Sequence, residues 1–307
     1  MLGGCAMQVA ALKTALFTLA NAAGVSRRFG DTAWRCRRLM ILCYHGVSLA
    51  DEHEWNPTLY ISPRTLTRRL DALRRLGCTV LSLSDAVDRL YAENLPQRAV
   101  VLTFDDGYYD FKAKALPLLE ERRYPATVYV TTEQWTDEIS GHAINDVVVA
   151  NHLRTSYLSW RGVRGEVSPC SARALSAMTQ SEVADVAARG VAIEMHTHRH
   201  HLPRDVDTLF QDIRVNRDLI ASTTGRVPQH LCYPDGVYHT SHLPHLHACG
   251  VETATTCDPD LAATSTDPLL LPRFVDSEAC SQATFDAWVT GMASWIPRRT
   301  HVAHAVH

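Results

Sequence analysis

The sequence of 307 residues holds nine cysteines but no Cys-x-x-Cys pair. Cys5, Cys36, Cys43, Cys78, Cys170, Cys232, Cys249, Cys257 and Cys280 are scattered, so neither a zinc ribbon nor a redox dithiol is indicated. Cys43, Cys78 and Cys232 sit inside apolar runs, where a free thiol behaves as a small hydrophobe, and a reducing compartment fits best. A basic excess is also missing. The net charge is −3, which argues against a general nucleic-acid binder. There is no glycine-rich phosphate loop, no nucleic-acid motif and no internal repeat. Long apolar runs are absent too. Met7 to Ala23 is interrupted by Lys13 and Asn21, too short and broken for a membrane span. Lys13 lies within that run rather than ahead of it, unlike the charge of a signal peptide. What remains is the composition of an ordinary globular enzyme, 46% hydrophobic and 21% charged, long enough for one large domain or two small ones.

Residues 1–38 read as a separate amphipathic and basic segment. Leu12, Leu16, Leu19 and Ala23 fall at helical spacing, and Arg27, Arg28, Arg35, Arg37 and Arg38 follow. Two readings fit: a helix packed on the domain with a solvated basic tail, or peripheral contact of residues 8–38 with anionic lipid. The expected location is cytoplasmic or peripheral at the inner membrane face. The oligomeric state is not legible.

The informative stretch is Val100-Val101-Leu102-Thr103-Phe104-Asp105-Asp106-Gly107. A β-rich apolar run reads as a buried strand, and the glycine as the turn that ends it. At a strand end the chain can turn and aim both carboxylates into one cleft. Two close carboxylates repel unless one gains a cation or a proton. The pair therefore predicts a metal for one and acid–base work for the other, although Asp-Asp-Gly is also a common turn. Downstream, Val191 to Met195 reads as a strand ending at His196-Thr197-His198-Arg199-His200-His201. His196 and His200 are four apart, a spacing that brings two imidazoles to one ion in a helical turn. Two neutral histidines and one aspartate leave a coordination position for water, as in a catalytic zinc site. Zinc suits this set; cobalt or nickel fits the same ligands.

Thr103-Phe104-Asp105-Asp106-Gly107 together with His196-Thr197-x-x-His200 resembles the polysaccharide deacetylase (NodB-homology) family of carbohydrate esterases, from about Met40 to Phe274. The resemblance implies a distorted (β/α) barrel of seven or eight strands over residues 39–297, with chemistry at the C-terminal strand ends. It implies Asp106, His196 and His200 as the metal triad and Asp105 as the general base toward a metal-activated water. Where the family commonly has Arg-x-Pro-Tyr, this chain reads Cys232-Tyr233-Pro234-Asp235-Gly236. Asp235 can still offer its backbone N–H to an oxyanion, and Arg273 stands in for the missing arginine, unless it is a surface residue. The family's late histidine is also missing, but Leu42-Cys43-Tyr44-His45 has its form. Because the chain resembles circularly permuted members, His45 is expected as the general acid. Tyr233 and Trp55 are the substrate-binding candidates, with core packing the commoner use of a tryptophan. The implied substrate is an N-acetylhexosamine polysaccharide or carrier-linked glycan. A glycan-binding protein on the same fold and a hydrolase for a small cyclic amide or imide are the alternatives.

Strands are expected at Leu39–Tyr44, Cys78–Leu81, Pro125–Thr131, Leu231–Tyr233, Val251–Thr256 and Leu269–Phe274. Helices are expected after Ser62-Pro63, after a Ser84-Asp85 cap, over Asp110–Arg123, after the capping box Thr179-x-x-Glu182, over Val206–Thr223 and near Phe285–Trp295. An insertion is expected over about 133–170, with a helix near Val147–His152, and a disordered tail at 298–307. His239, His242, His245 and His247 read as helix surface; His198 and His201 shape the site or face solvent.

Overall fold

A computed structural model of the chain describes residues 14–135 and 176–295. Most of the expected insertion, its helix and the 298–307 tail lie outside these residues. The described strands are β1 (Met40–Tyr44), β2 (Gly46–Val47), β3 (Tyr60–Ile61), β4 (Thr79–Leu81) and β5 (Ala99–Phe104). They continue with β6 (Thr127–Val130), β7 (Ala192–Met195), β8 (His230–Cys232), β9 (Thr253–Thr255) and β10 (Phe274–Val275).

Eight of them form one sheet in the order β10-β1-β5-β6-β7-β8-β9, with β4 beside β5. Every pairing within it is parallel. Leu271 bridges Thr255 of β9, and three residues later Phe274 of β10 pairs with Leu42 of β1. One segment therefore meets both edges, and the sheet curls into a distorted β/α barrel with that segment as its seam. Only the end of the expected Leu269–Phe274 strand forms. Pro268–Leu270 is a 3-10 turn, and Pro272 has no N–H to give a ladder. β2 and β3 form a separate parallel pair.

Side-chain parity divides the core. Met40 and Leu42 of β1, Val100 and Leu102 of β5, Val128 of β6 and Ile193 of β7 join one buried cluster with the flanking helices. Ile41, Val101, Tyr129, Cys232 and Leu271 join a second, with Leu83, Ala86, Val87 and Leu90 from one helix. Four strands and the bridging Leu271 contribute to this second cluster, so it marks the barrel interior.

Local signals start the helices. Ser62 accepts a hydrogen bond from Thr65 N–H ahead of Pro63–Arg75, whose Leu66, Leu70 and Leu73 are fully buried. The capping box of Thr179 and Glu182 opens Gln180–Ala188, and Asp205 caps Val206–Thr224. One cap differs from expectation: Ser82, not Ser84, accepts from Asp85 N–H and starts Leu83–Tyr91. The helix after the paired aspartates opens with a π-helical turn, Phe111–Ala115, before Leu116–Arg122. Pro117, with no N–H for the carbonyl of residue 113, sits at that junction. The last expected helix is Gln282–Val289 followed by a 3-10 turn, Met292–Trp295.

Candidate active site

Inward parity places the base. Val101 faces the interior, and Thr103 and Asp105 follow on the same side; Cys43 stands two residues beyond Ile41, and Arg273 two beyond Leu271. Arg273 donates from Nη1 to Asp105 Oδ1 and from Nη2 to Asp105 Oδ2, both at 2.7 Å. Its Nε donates to the Thr256 carbonyl at 2.9 Å, and Nη1 reaches Thr103 Oγ1 at 3.2 Å. The two charges are buried together, at 0% and 2% exposure. Burial alone pushes the Asp105 carboxyl up, but the Arg273 guanidinium overrides it and holds the group well below the usual carboxylate range. Arg273 is thus no surface arginine; it fixes both oxygens of Asp105. The Cys43 and Cys232 thiols flank the same Oδ2 at 3.3 and 3.4 Å. The sequence marks them only as packing residues, because they lie 62 and 127 residues from Asp105 along the chain.

Asp106 turns the second carboxylate. Its φ of 67° is left-handed, and Gly107 follows at 67°. A Cβ on Gly107 would sit 2.8 Å from Val130 Cγ1, so the residue after the pair has room only for glycine. Asp106 Oδ1 lies 3.2 Å from His196 Nε2 and 3.1 Å from His200 Nε2. Burial pushes the Asp106 carboxyl up, and hydrogen bonds with His196 and His200 pull it well below its ordinary value. Tyr108, absent from the sequence-derived candidates, lines the same cleft, where burial and the neighbouring Asp106 and Asp110 carboxylates push its hydroxyl pKa up.

The two histidines do not meet on a helical turn. Residues 196–201 are loop and bend, with Thr197 at φ 62° and His200 at φ 51°. These two left-handed residues fold the loop back and bring the rings to 4.9 Å between centroids. His196 Nδ1 lies 2.9 Å from the Cys232 carbonyl, which can only accept, so Nδ1 carries a proton; Nε2 then donates to Asp106 when the ring is charged and offers a lone pair to an ion when the ring is neutral. Asn216, fully buried, accepts from His196 N–H and donates to the Val130 carbonyl.

Asp106, His196 and His200 offer ligand atoms close enough for one ion. The 3.2 and 3.1 Å separations from Asp106 to the two histidines approach the edge of about 3.3 Å expected for a tetrahedron of zinc bonds near 2.0–2.1 Å. Asp105 also belongs to two such groupings, one with Cys43 and His45 and one with His196 and Cys232. The charge of Asp105 is already balanced by Arg273, so Asp106 is the carboxylate that calls for a cation, while Asp105 keeps lone-pair capacity to accept a proton. The donor set fits a divalent ion, with exposed His200 leaving a side open.

The cleft above has a volume of about 230 Å³ and is lined by His45, Asp105, Asp106, His196, His200, Tyr233 and Asp235, joined by Leu59, Tyr108 and Cys257. His45 Nε2 stands 3.8 Å from Asp105 Oδ2. Asp235 is exposed at the mouth with φ 56°, and a Cβ on Gly236 would sit 2.8 Å from that of Cys257. Tyr233 lines the cleft, but its hydroxyl is spent on the Leu269 carbonyl at 2.9 Å. Trp55 is outside the lining, 5% exposed against Tyr60. Trp135 is buried as well, donating to the Met178 carbonyl. Of the other histidines, His239 and His242 are buried rather than on a helix surface, with His242 Nε2 on the Arg204 carbonyl. His198 is buried against Thr132, and His201 is exposed.

The polysaccharide deacetylase family model matches residues 92–254. YxkH of Bacillus subtilis is 22% identical over 283 residues, spanning 89% of this chain and 85% of that protein. The poly-β-1,6-N-acetyl-D-glucosamine N-deacetylase of Escherichia coli strain K12 is 29% identical over 139 residues, 44% of this chain and 20% of that protein. Among solved structures, the Streptococcus pyogenes deacetylase PplD in complex with acetate superposes with a TM-score of 0.62 at 20% identity, covering 80% of this chain and 96% of that one. With the family model spanning more than half its length, this chain belongs to the polysaccharide deacetylases, hydrolases acting on carbon–nitrogen bonds.

Proposed function

We propose that the chain is a metal-dependent N-deacetylase acting on an N-acetylhexosamine polysaccharide or carrier-linked glycan. The observation that carries this reading is the meeting, in one open cleft, of the Asp106–His196–His200 donor set with Asp105 clamped by Arg273. The substrate named for the E. coli relative supports the choice of glycan.

A divalent ion held by Asp106, His196 and His200, zinc or else cobalt or nickel, would acidify a bound water and polarise the acyl oxygen. Asp105, held ionised by Arg273, accepts the water's proton. Arg273 fixes that carboxylate's orientation before substrate arrives. His45, close to the base across the cleft wall, delivers a proton to the departing amine. The Asp235 N–H at the mouth is the backbone donor for the developing oxyanion. Free amine and acetate are the products.

The test is acetate release from N-acetylglucosamine oligomers by zinc-loaded protein. Chelation abolishes release, and Asp105→Asn lowers it by at least about 100-fold, the usual scale for a positioned acid–base group. A protein that binds zinc through His196 and His200 yet frees acetate from no acetylated glycan is a glycan binder or a small-amide hydrolase instead.

A further inference from the structure

The exposed large apolar side chains are unevenly distributed. Among the described residues they are Leu16, Leu19, Val25, Trp295 and, elsewhere, Val227. Residues 14–22 form a surface helix that turns Phe17 into the core and leaves Ala15, Leu16, Thr18, Leu19 and Ala22 outside. A surface helix ordinarily carries charge on its outer face. Here no charged residue occurs between Lys13 and Arg27. The next helix, Val25–Gly30, exposes Val25, and its Phe29 meets Trp34 and Trp295 edge-on at 6.1 and 5.7 Å. Trp295 itself is 63% exposed.

The surroundings are basic. Residues 13–38 contain six cations and one carboxylate, Asp31, within a chain of net charge −3. Asp31 is engaged by Arg98 and Gln97, whereas Arg27, Arg28 and Arg37 are exposed. An aqueous protein partner would suit the leucines, but Arg27 and Arg28, exposed on the helix that follows them, favour an anionic surface. Leucine and tryptophan at the centre with arginine beside them is the pattern of an interfacial helix.

This corner sits at the end of the barrel remote from the cleft. Arg98, just before β5, donates to the Arg27 carbonyl at 3.1 Å, and Arg35 reaches the Ala99 carbonyl at 3.3 Å. Asp105 follows the other end of β5, about 20 Å away for six extended residues. No described helix is long and apolar enough to cross a membrane. We infer that residues 14–28 with Trp295 dock peripherally on an anionic phospholipid surface, holding the catalytic cleft at the opposite, solvent-facing end. A glycan would then be met from the aqueous side rather than from within the bilayer.

Flotation of the full-length chain with phosphatidylglycerol or phosphatidylcholine vesicles tests this, independently of whether the cleft turns over a glycan. The wild type floats with phosphatidylglycerol, less so as salt rises, and stays behind with phosphatidylcholine. Leu16→Glu with Leu19→Glu weakens binding about 100-fold or more, since each buried leucine is worth about tenfold. Arg27→Glu with Arg28→Glu weakens it by at least roughly 25-fold, about fivefold for each cation lost. Unchanged melting temperatures show that both variants fold; if the leucine variant does not, the arginine variant and the salt series decide. The inference is overturned by a wild type that floats with neither vesicle, by leucine or arginine variants that float as well as wild type, or by a wild-type dimer that the leucine variant dissolves without any vesicle binding.

Discussion

Asp105 and Arg273 form a buried ion pair with two parallel hydrogen bonds, and a pair of this kind is costly to break from one side. Arg273→Ala leaves an uncompensated carboxylate at 2% exposure, and the expected loss is about 3–5 kcal/mol of folding stability. Arg273→Lys keeps a charge but not the planar fork that holds both oxygens. That variant should retain more stability than the alanine and still lose about 100-fold in acetate release, because a base displaced by an ångström is misaligned. Urea unfolding and initial rates on the same preparations separate the two effects. A lysine variant with wild-type rates would mean that the orientation of Asp105 is not limiting. The paired aspartates and the two histidines were visible in the sequence because strand-end motifs keep catalytic groups contiguous. The role of Arg273 was visible only as an alternative to a surface residue, since nothing local says where a late strand points. Cys43, Cys232 and Tyr108 were not visible as neighbours of the carboxylates: their roles depend on parity across strands distant in sequence.

Strand and helix positions were largely legible from apolar runs and caps, while turns that depend on left-handed residues were not. His196 and His200 show the difference. Their spacing of four suggests a helical turn, yet Thr197 and His200 reach positive φ, which is uncommon for any residue but glycine and least expected of the β-branched Thr197. The same holds for Ser82 and Ser84, where two serines competed for one cap and the displaced one took another task. Ser84 Oγ pairs with His230 Nε2 at 2.8 Å, and His230 Nδ1 pairs with Thr253 Oγ1 at 2.8 Å. One buried imidazole thus ties the helix Leu83–Tyr91 to β8 and β9. Burial lowers its pKa from 6.5 to about 4, so the folded state keeps it neutral where the unfolded chain would protonate it. Above pH 6.5 both states are neutral and pH has no hold through this group. As pH falls from 6.5 to 4 the unfolded state gains the proton and stability declines, by about 3 kcal/mol in all. His230→Gln should cost about 1 kcal/mol at neutral pH for a weakened hydrogen bond and flatten that acid slope. Urea midpoints at pH 7, 5.5 and 4 read both effects; equal slopes in the two proteins would remove His230 as their source.

Across the whole molecule, the barrel seam depends on contacts between parts of the chain about two hundred residues apart. Asp276 N–H donates to the Cys43 carbonyl, extending the pairing of β10 with β1. Its carboxylate receives Arg69 Nε at 2.9 Å from the helix Pro63–Arg75. Arg69 also donates from Nη1 to Gln282 Oε1 at 2.7 Å and lies 4.9 Å over the Phe285 ring. One arginine, 1% exposed, therefore joins the first long helix, the closing strand and the last helix. Arg69→Met leaves Asp276 buried without its cation and should lower stability by about 3–5 kcal/mol. Adding Asp276→Leu removes the stranded charge, and most of that loss should return, because the Coulombic gain of a buried pair largely offsets its desolvation. If the seam is integral to a single core, circular dichroism and tryptophan fluorescence unfold together in every variant. Separate transitions in Arg69→Met alone would mean that the last helix and β10 can detach while the strands bearing Asp105 and His196 stay folded. Arg273 would leave with them, so the species at intermediate urea should keep zinc affinity through Asp106, His196 and His200 while losing acetate release.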